Sequence, residues 1–186
     1  MDDVTGQLER HMDRMKTWID SFASDVFVVQ SLLADDKAAD EARILAAAAL
    51  NYLVTRLDLI PDWEETCGIL DDAMILRLTM AQAADKELGG LAGDALHTVA
   101  RLANEVEVVR EFLGDDLYPR MRKYADGLVH TVVRGRSPRA LVDDAKARRH
   151  LFDEIKDELK RLPPAPMSDA GRVARTIKNY LSQKLA

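Results

Sequence analysis

With 186 residues, 47% of them hydrophobic and 31% charged, the chain has the length and composition of one globular domain with a real core, not of a disordered or fibrous segment. Its single cysteine, Cys67, excludes an intramolecular disulfide and favours a reducing, cytoplasmic setting. A net charge of −6 and a pI near 5.3, with no concentrated basic patch bearing aromatics, argue against nucleic-acid binding.

In chain order, the opening MDDVTGQLER lacks a basic stretch followed by an apolar run, so it is not read as a secretory signal. Leu8, Met12, Met15, Ile19, Phe22, Val26, Val29 and Leu33 then recur at alternating spacings of four and three, which predicts a long helix. Trp18, Ala23 and Leu32 flank the stripe and widen it towards a bundle helix. A second helix is expected over about 36–57; its apolar run LAAAALNYLV is about half the ~20 residues of a membrane span and reads as a buried core helix. A third begins at Asp71 or Asp72 and stops at Gly89-Gly90. A fourth fits 94–113, ending at Gly114, and a fifth runs from Asp115 or Asp116 to near Gly135, with Pro119 in its first turn. Ser137-Pro138 opens a sixth, whose stripe of Leu141, Ala145, Phe152, Ile155, Leu159 and Leu162 includes Arg148, read as snorkelling to the edge rather than binding an anion. After the stiff break Pro163-Pro164-Ala165-Pro166 comes a last helix over about 169–185. Nothing reads as a strand. The expected fold is all-α: a single domain over 1–186, six or seven helices around a buried central hairpin.

The segment between the second and third helices carries the densest punctuation. Pro61 ends the second helix, Asp62 suits an N-cap with Glu65 three residues on, and a single helical turn over 63–66 follows. Gly68 is available for a positive φ, and Asp71 or Asp72 caps the third helix. Asp58 sits at a helix C-terminus, where a negative charge is unfavourable, so it needs a partner such as Arg56, Arg77 or a backbone N–H. Tyr52, Asp58, Leu59, Ile60, Pro61, Asp62, Trp63, Gly68, Leu70, Asp71 and Asp72 together resemble the signature of the YkvA-like bacterial domain of unknown function, over residues 43–82. Arg56 and Glu65 stand where that pattern has prolines. The resemblance implies a short helical hairpin and no known activity.

Three functional readings follow. The first is a non-enzymatic structural or protein-interaction module, meeting a protein partner or a second copy through its helical faces. The second is a metal-dependent hydrolase holding Mg²⁺ or Ca²⁺ on Asp58, Asp62, Asp71 and Asp72; against it, three of these acids already have capping roles and the spacing is not that of an EF-hand. The third is a peripheral membrane or partner-binding protein acting through a detachable, basic C-terminal helix at 168–186. Residues 1–100 carry net −11 and residues 101–186 net +5, so docking of that helix on the acidic half is favoured and a membrane surface is not. His11, His97, His130 and His150 are scattered, and no Glu-x-x-His, glycine-rich phosphate loop or cysteine–histidine pair supports catalysis.

Overall fold

The repeating apolar stripe of the first segment winds into one helix, α1 (Asp2–Ala34), in a computed structural model that describes residues 2–55, 59–61, 67–161 and 169–185. Met12, Met15, Phe22, Val26, Val29 and Leu33 of the stripe are buried, as are the flanking Trp18 and Leu32. Ala23 faces solvent instead, and the buried flank includes Asp25, a charge that the apolar pattern gave no reason to place inside.

The second helix is shorter than expected. α2 spans Asp40–Tyr52, because residues 35–39 are tied into a corner first. Asp35 accepts hydrogen bonds from Lys37 N at 2.8 Å and from Gly90 N at 2.5 Å, and Ala39 N donates to Glu87 O at 2.8 Å. These bonds lock the α1–α2 corner onto the loop after α3 (Leu70–Ala83). Gly89 makes that approach possible: its φ is +70°, and a Cβ there would stand 2.5 Å from Ala38 N. Apart from Ala81 and Gln82, α3 is buried on every side, and Ala46–Ala49 of α2 are buried as well. The α2–α3 hairpin is therefore central: α2 packs on α1, α3 and α6, and α3 on α4 and α5.

Two expected helices are divided. The 94–113 segment breaks at Glu105 into α4 (Gly93–Asn104) and α5 (Val106–Gly127). Within α5 the backbone leaves helical geometry at Gly114 (φ 72°, ψ −176°), where a glycine stop was expected. The helix ends at Gly127, well before Gly135, and a 3₁₀ turn over Leu128–His130 follows. Arg134 (φ 50°) and Gly135 (φ 79°) then form a two-residue reverse turn, closed by reciprocal bonds between Val133 and Arg136 of 3.0 and 2.9 Å. This isolated bridge is the nearest approach to a strand among the described residues.

Ser137 Oγ accepts from Ala140 N at 3.1 Å and caps α6 (Pro138–Asp143). The single sixth helix is interrupted by Asp144, whose carboxylate accepts from Lys146 N and Ala147 N at 2.7 and 3.2 Å and starts α7 (Ala145–Leu159). The break leaves carbonyls at the end of α6. Arg148 donates to Leu141 O and Val142 O at 3.0 and 2.9 Å, and Arg43 reaches Val142 O at 3.4 Å. Arg148 is thus half-buried against backbone rather than extended to an edge. α8 (Ala170–Lys184), capped by Asp169, lays Val173, Ala174, Ile177 and Leu181 on α1 and α5. The proline-rich break at 163–166 lies outside the described residues. No described helix is long and apolar enough to cross a membrane.

Candidate functional site

Tyr52 closes the last turn of α2, and Asp71 stands in the first turn of α3. Helix packing brings them together. The Tyr52 hydroxyl donates to Asp71 Oδ2 at 2.6 Å and accepts from Leu59 N at 2.9 Å, while Ile60 N donates to the same carboxylate oxygen at 3.0 Å. Two side chains thereby hold two consecutive amides of the interhelical turn. The residue preceding α3 is Ile69, with no side-chain cap, so Asp71 and Asp72 fall within the first turn of the helix and not at the N-cap position expected for one of them. Asp71 points inward and accepts bonds from across the hairpin instead.

Asp71 is completely buried and has no cation in contact among the described residues. Burial raises its pKa to about 7, against the lowering pull of the Tyr52 hydroxyl and of the backbone N–H groups of Ile60, Asp71 and Asp72. Tyr52 moves the same way for a related reason. Burial, then the charges of Asp71 and Asp72, push its phenol well above the usual range, so it remains the proton donor of the pair. Beside Tyr52 is a void of only about 30 Å³, lined in part by Ala48, Asn51 and Tyr124, room for about one water. Tyr124 meets the Tyr52 ring edge-on, with centroids 6.1 Å apart.

A second polar cluster lies deeper and is absent from the expectations above. Arg77 on α3 is fully buried, its guanidinium 3.9 Å from the centroid of the Trp18 ring. It meets Glu105 at 2.7 and 2.8 Å, Asp25 at 3.8 Å and Ala73 O at 3.0 Å. Arg101 closes the ring, pairing with Asp25 and with Glu105 at 3.1 Å. Ser21 Oγ adds a bond to Asp25 at 2.9 Å. Two arginines face two carboxylates, so the cluster is neutral overall while joining α1, α3, α4 and the α4–α5 junction. Burial raises the pKa of Asp25 against the pull of Arg101, Ser21 and Arg77, and burial lowers that of Arg77 to about 10, which leaves the arginine charged at neutral pH.

These contacts bear on the acid-cluster reading. Arg77, a candidate partner for Asp58, is engaged by Glu105 and Asp25. Asp58, Asp62, Trp63, Arg56 and Glu65, with the helical turn over 63–66, lie outside the described residues. Pro61 is half-buried, Gly68 and Cys67 are buried in the turn before α3, and Asp72 is buried beside Asp71. Among the described residues no three histidine, cysteine or acidic side chains converge as a metal-binding group. The histidines are dispersed; His11 reaches Glu111 at 3.1 Å across α1 and α5.

A family model described as "Protein of unknown function (DUF1232)" matches residues 42–78. The chain has no match among curated proteins or solved structures. The matched stretch holds Tyr52, Asp71 and Arg77, so both clusters have a member inside it. Asp25, Arg101 and Glu105, which complete the second, lie outside it: over α2 and the greater part of α3 this chain is similar to an uncharacterised domain.

Proposed function

We propose that this protein is a non-enzymatic helical scaffold, a structural or protein-interaction module, in which the α2–α3 unit is a YkvA-like hairpin and its polar signature serves folding. Its setting, in this reading, is the bacterial cytoplasm. The observation that carries the reading is the inward Tyr52–Asp71 pair, which pins Leu59 N and Ile60 N. A buried carboxylate whose bonds run to the Tyr52 hydroxyl and to Ile60 N serves to hold the turn. The second cluster supports the same reading, since its charges neutralise one another inside the fold. Phe27, 64% exposed on α1, leaves an apolar side chain available for a partner.

The test is chemical denaturation of Asp71→Ala and Tyr52→Phe. A folding role predicts that both lower the denaturant midpoint, each by an amount typical of orphaned buried polar groups, about 1–3 kcal/mol. Variants as stable as the parent would overturn the scaffold reading and turn attention back to chemistry at this pair.

A further inference from the structure

The second half of α5, the 3₁₀ turn and the end of α8 enclose an open cleft of about 520 Å³. That volume falls within the ~300–1,000 Å³ of small-molecule sites. Its rim is basic: Arg120 and Lys123 come from α5 and Lys184 from the last turn of α8. Among the described lining residues there is no acid. Arg120 shares a surface pair with Asp116 at 2.6 Å, whereas Lys123 and Lys184 have no ion-pair partner among the described residues. The floor is apolar, formed by the Tyr124 ring with the buried Leu128 and Leu185.

The mundane account of these cations is solvation, and for Lys184 also the helix C-terminus that it ends. Neither accounts for three cations from two separate elements facing one cavity in a chain of net charge −6. Cations gathered on the rim of a low-dielectric hollow concentrate anions there. A phosphoryl group presents several charged oxygens to as many donors, and a planar or aliphatic body attached to it would cover Tyr124 and Leu128.

We propose that this cleft binds a phosphoryl group carried on a small apolar body, with Arg120, Lys123 and Lys184 on its oxygens and Tyr124, Leu128 and Leu185 beneath the body. The cleft adjoins the Tyr52–Asp71 pair through Tyr124, whose ring meets that of Tyr52, but its cations belong to neither polar cluster and the proposal does not depend on the scaffold reading. Calorimetric titration of the full chain with phenyl phosphate, inorganic phosphate and phenol tests it. Phenyl phosphate is expected to saturate one site and to bind more tightly than inorganic phosphate, with phenol silent. Lys123→Gln and Lys184→Gln, both at exposed positions that leave the melting temperature in place, are each expected to weaken binding about tenfold, the scale of one charge-assisted contact. No saturable heat with phenyl phosphate, or full binding by the double variant, overturns the site. Equal affinity for phenyl phosphate and inorganic phosphate overturns the apolar floor. Vesicles of phosphatidylglycerol in phosphatidylcholine separate the two sources: co-flotation lost in the double variant assigns the phosphoryl group to a lipid headgroup, and binding of phenyl phosphate without co-flotation assigns it to a free metabolite.

Discussion

The two buried carboxylates, Asp71 and Asp25, solve the same problem in different ways. Asp71 has only neutral donors around it, a phenol and backbone amides, and its pKa rises to about 7. Asp25 has Arg101 and Arg77 beside it as well as Ser21, and these oppose the upward push of its burial. An unpaired buried acid moves towards neutrality by taking up a proton; a paired one has cations beside it that oppose that move. The first arrangement is short-range, joining residues 52, 59, 60 and 71. The second joins positions from 18 to 105, so it ties distant parts of the chain together and depends on the whole fold being in place.

The largest effect should come from breaking the second arrangement. Arg77→Met leaves Asp25 and Glu105 facing each other with Arg101 alone, and a cost of about 3–5 kcal/mol is expected in urea unfolding. A cost under about 1 kcal/mol would show that the ring is a bystander to packing, because a surface pair contributes no more than that. Tyr52→Phe should cost less, about 1–3 kcal/mol, since it removes one hydroxyl and orphans Leu59 N.

The pH dependence sharpens the contrast. The folded pKa of Asp71 lies above its unfolded value of 3.8, so the native state binds the extra proton. Its stabilising contribution is complete below about pH 4 and is lost as pH rises through about 7, at up to about 1.4 kcal/mol per pH unit. Subtracting the stability profile of Asp71→Asn from that of the parent isolates this slope; a flat difference between pH 4 and 7 would mean that Asp71 titrates as an ordinary carboxylate. The smallest effect is expected for Ser21→Ala, about 1 kcal/mol. Because it withdraws one donor from Asp25, it should move the Asp25 titration upward without touching the Asp71 window, a separation that carboxyl NMR would read directly.

Local patterns foretold much of this molecule. The alternating apolar spacing of α1, the glycine break at Gly114 and the Ser137 cap all follow from interactions within a few residues of one another. The Asp144 cap was equally local, since an acid two residues before the amide it accepts is a recognised helix start, yet the apolar stripe running through it hid the break. Asp71 lies where local sequence puts it, at the start of α3, but the partners of its carboxylate include groups from the other side of the hairpin. Its place in the first turn of a helix suggested a cap, and only the approach of Tyr52 from α2 turned it inward. Asp25 carries no local sign of burial, and Arg77, whose sequence neighbourhood suggests Asp58 as a partner, pairs with Asp25 and Glu105 instead. Nothing near either in sequence names the other as its partner.

By itself, the sequence determined the all-α class, the positions of the main helices and the buried character of the α2–α3 hairpin, because helix periodicity, caps and breakers act over one or two turns. The tertiary structure alone decided which charges go inside, with whom they pair, and where three surface cations from α5 and α8 meet around one cleft. Those outcomes depend on contacts between residues many turns apart, where the low dielectric of the interior makes an unpartnered charge costly and a well-placed partner decisive.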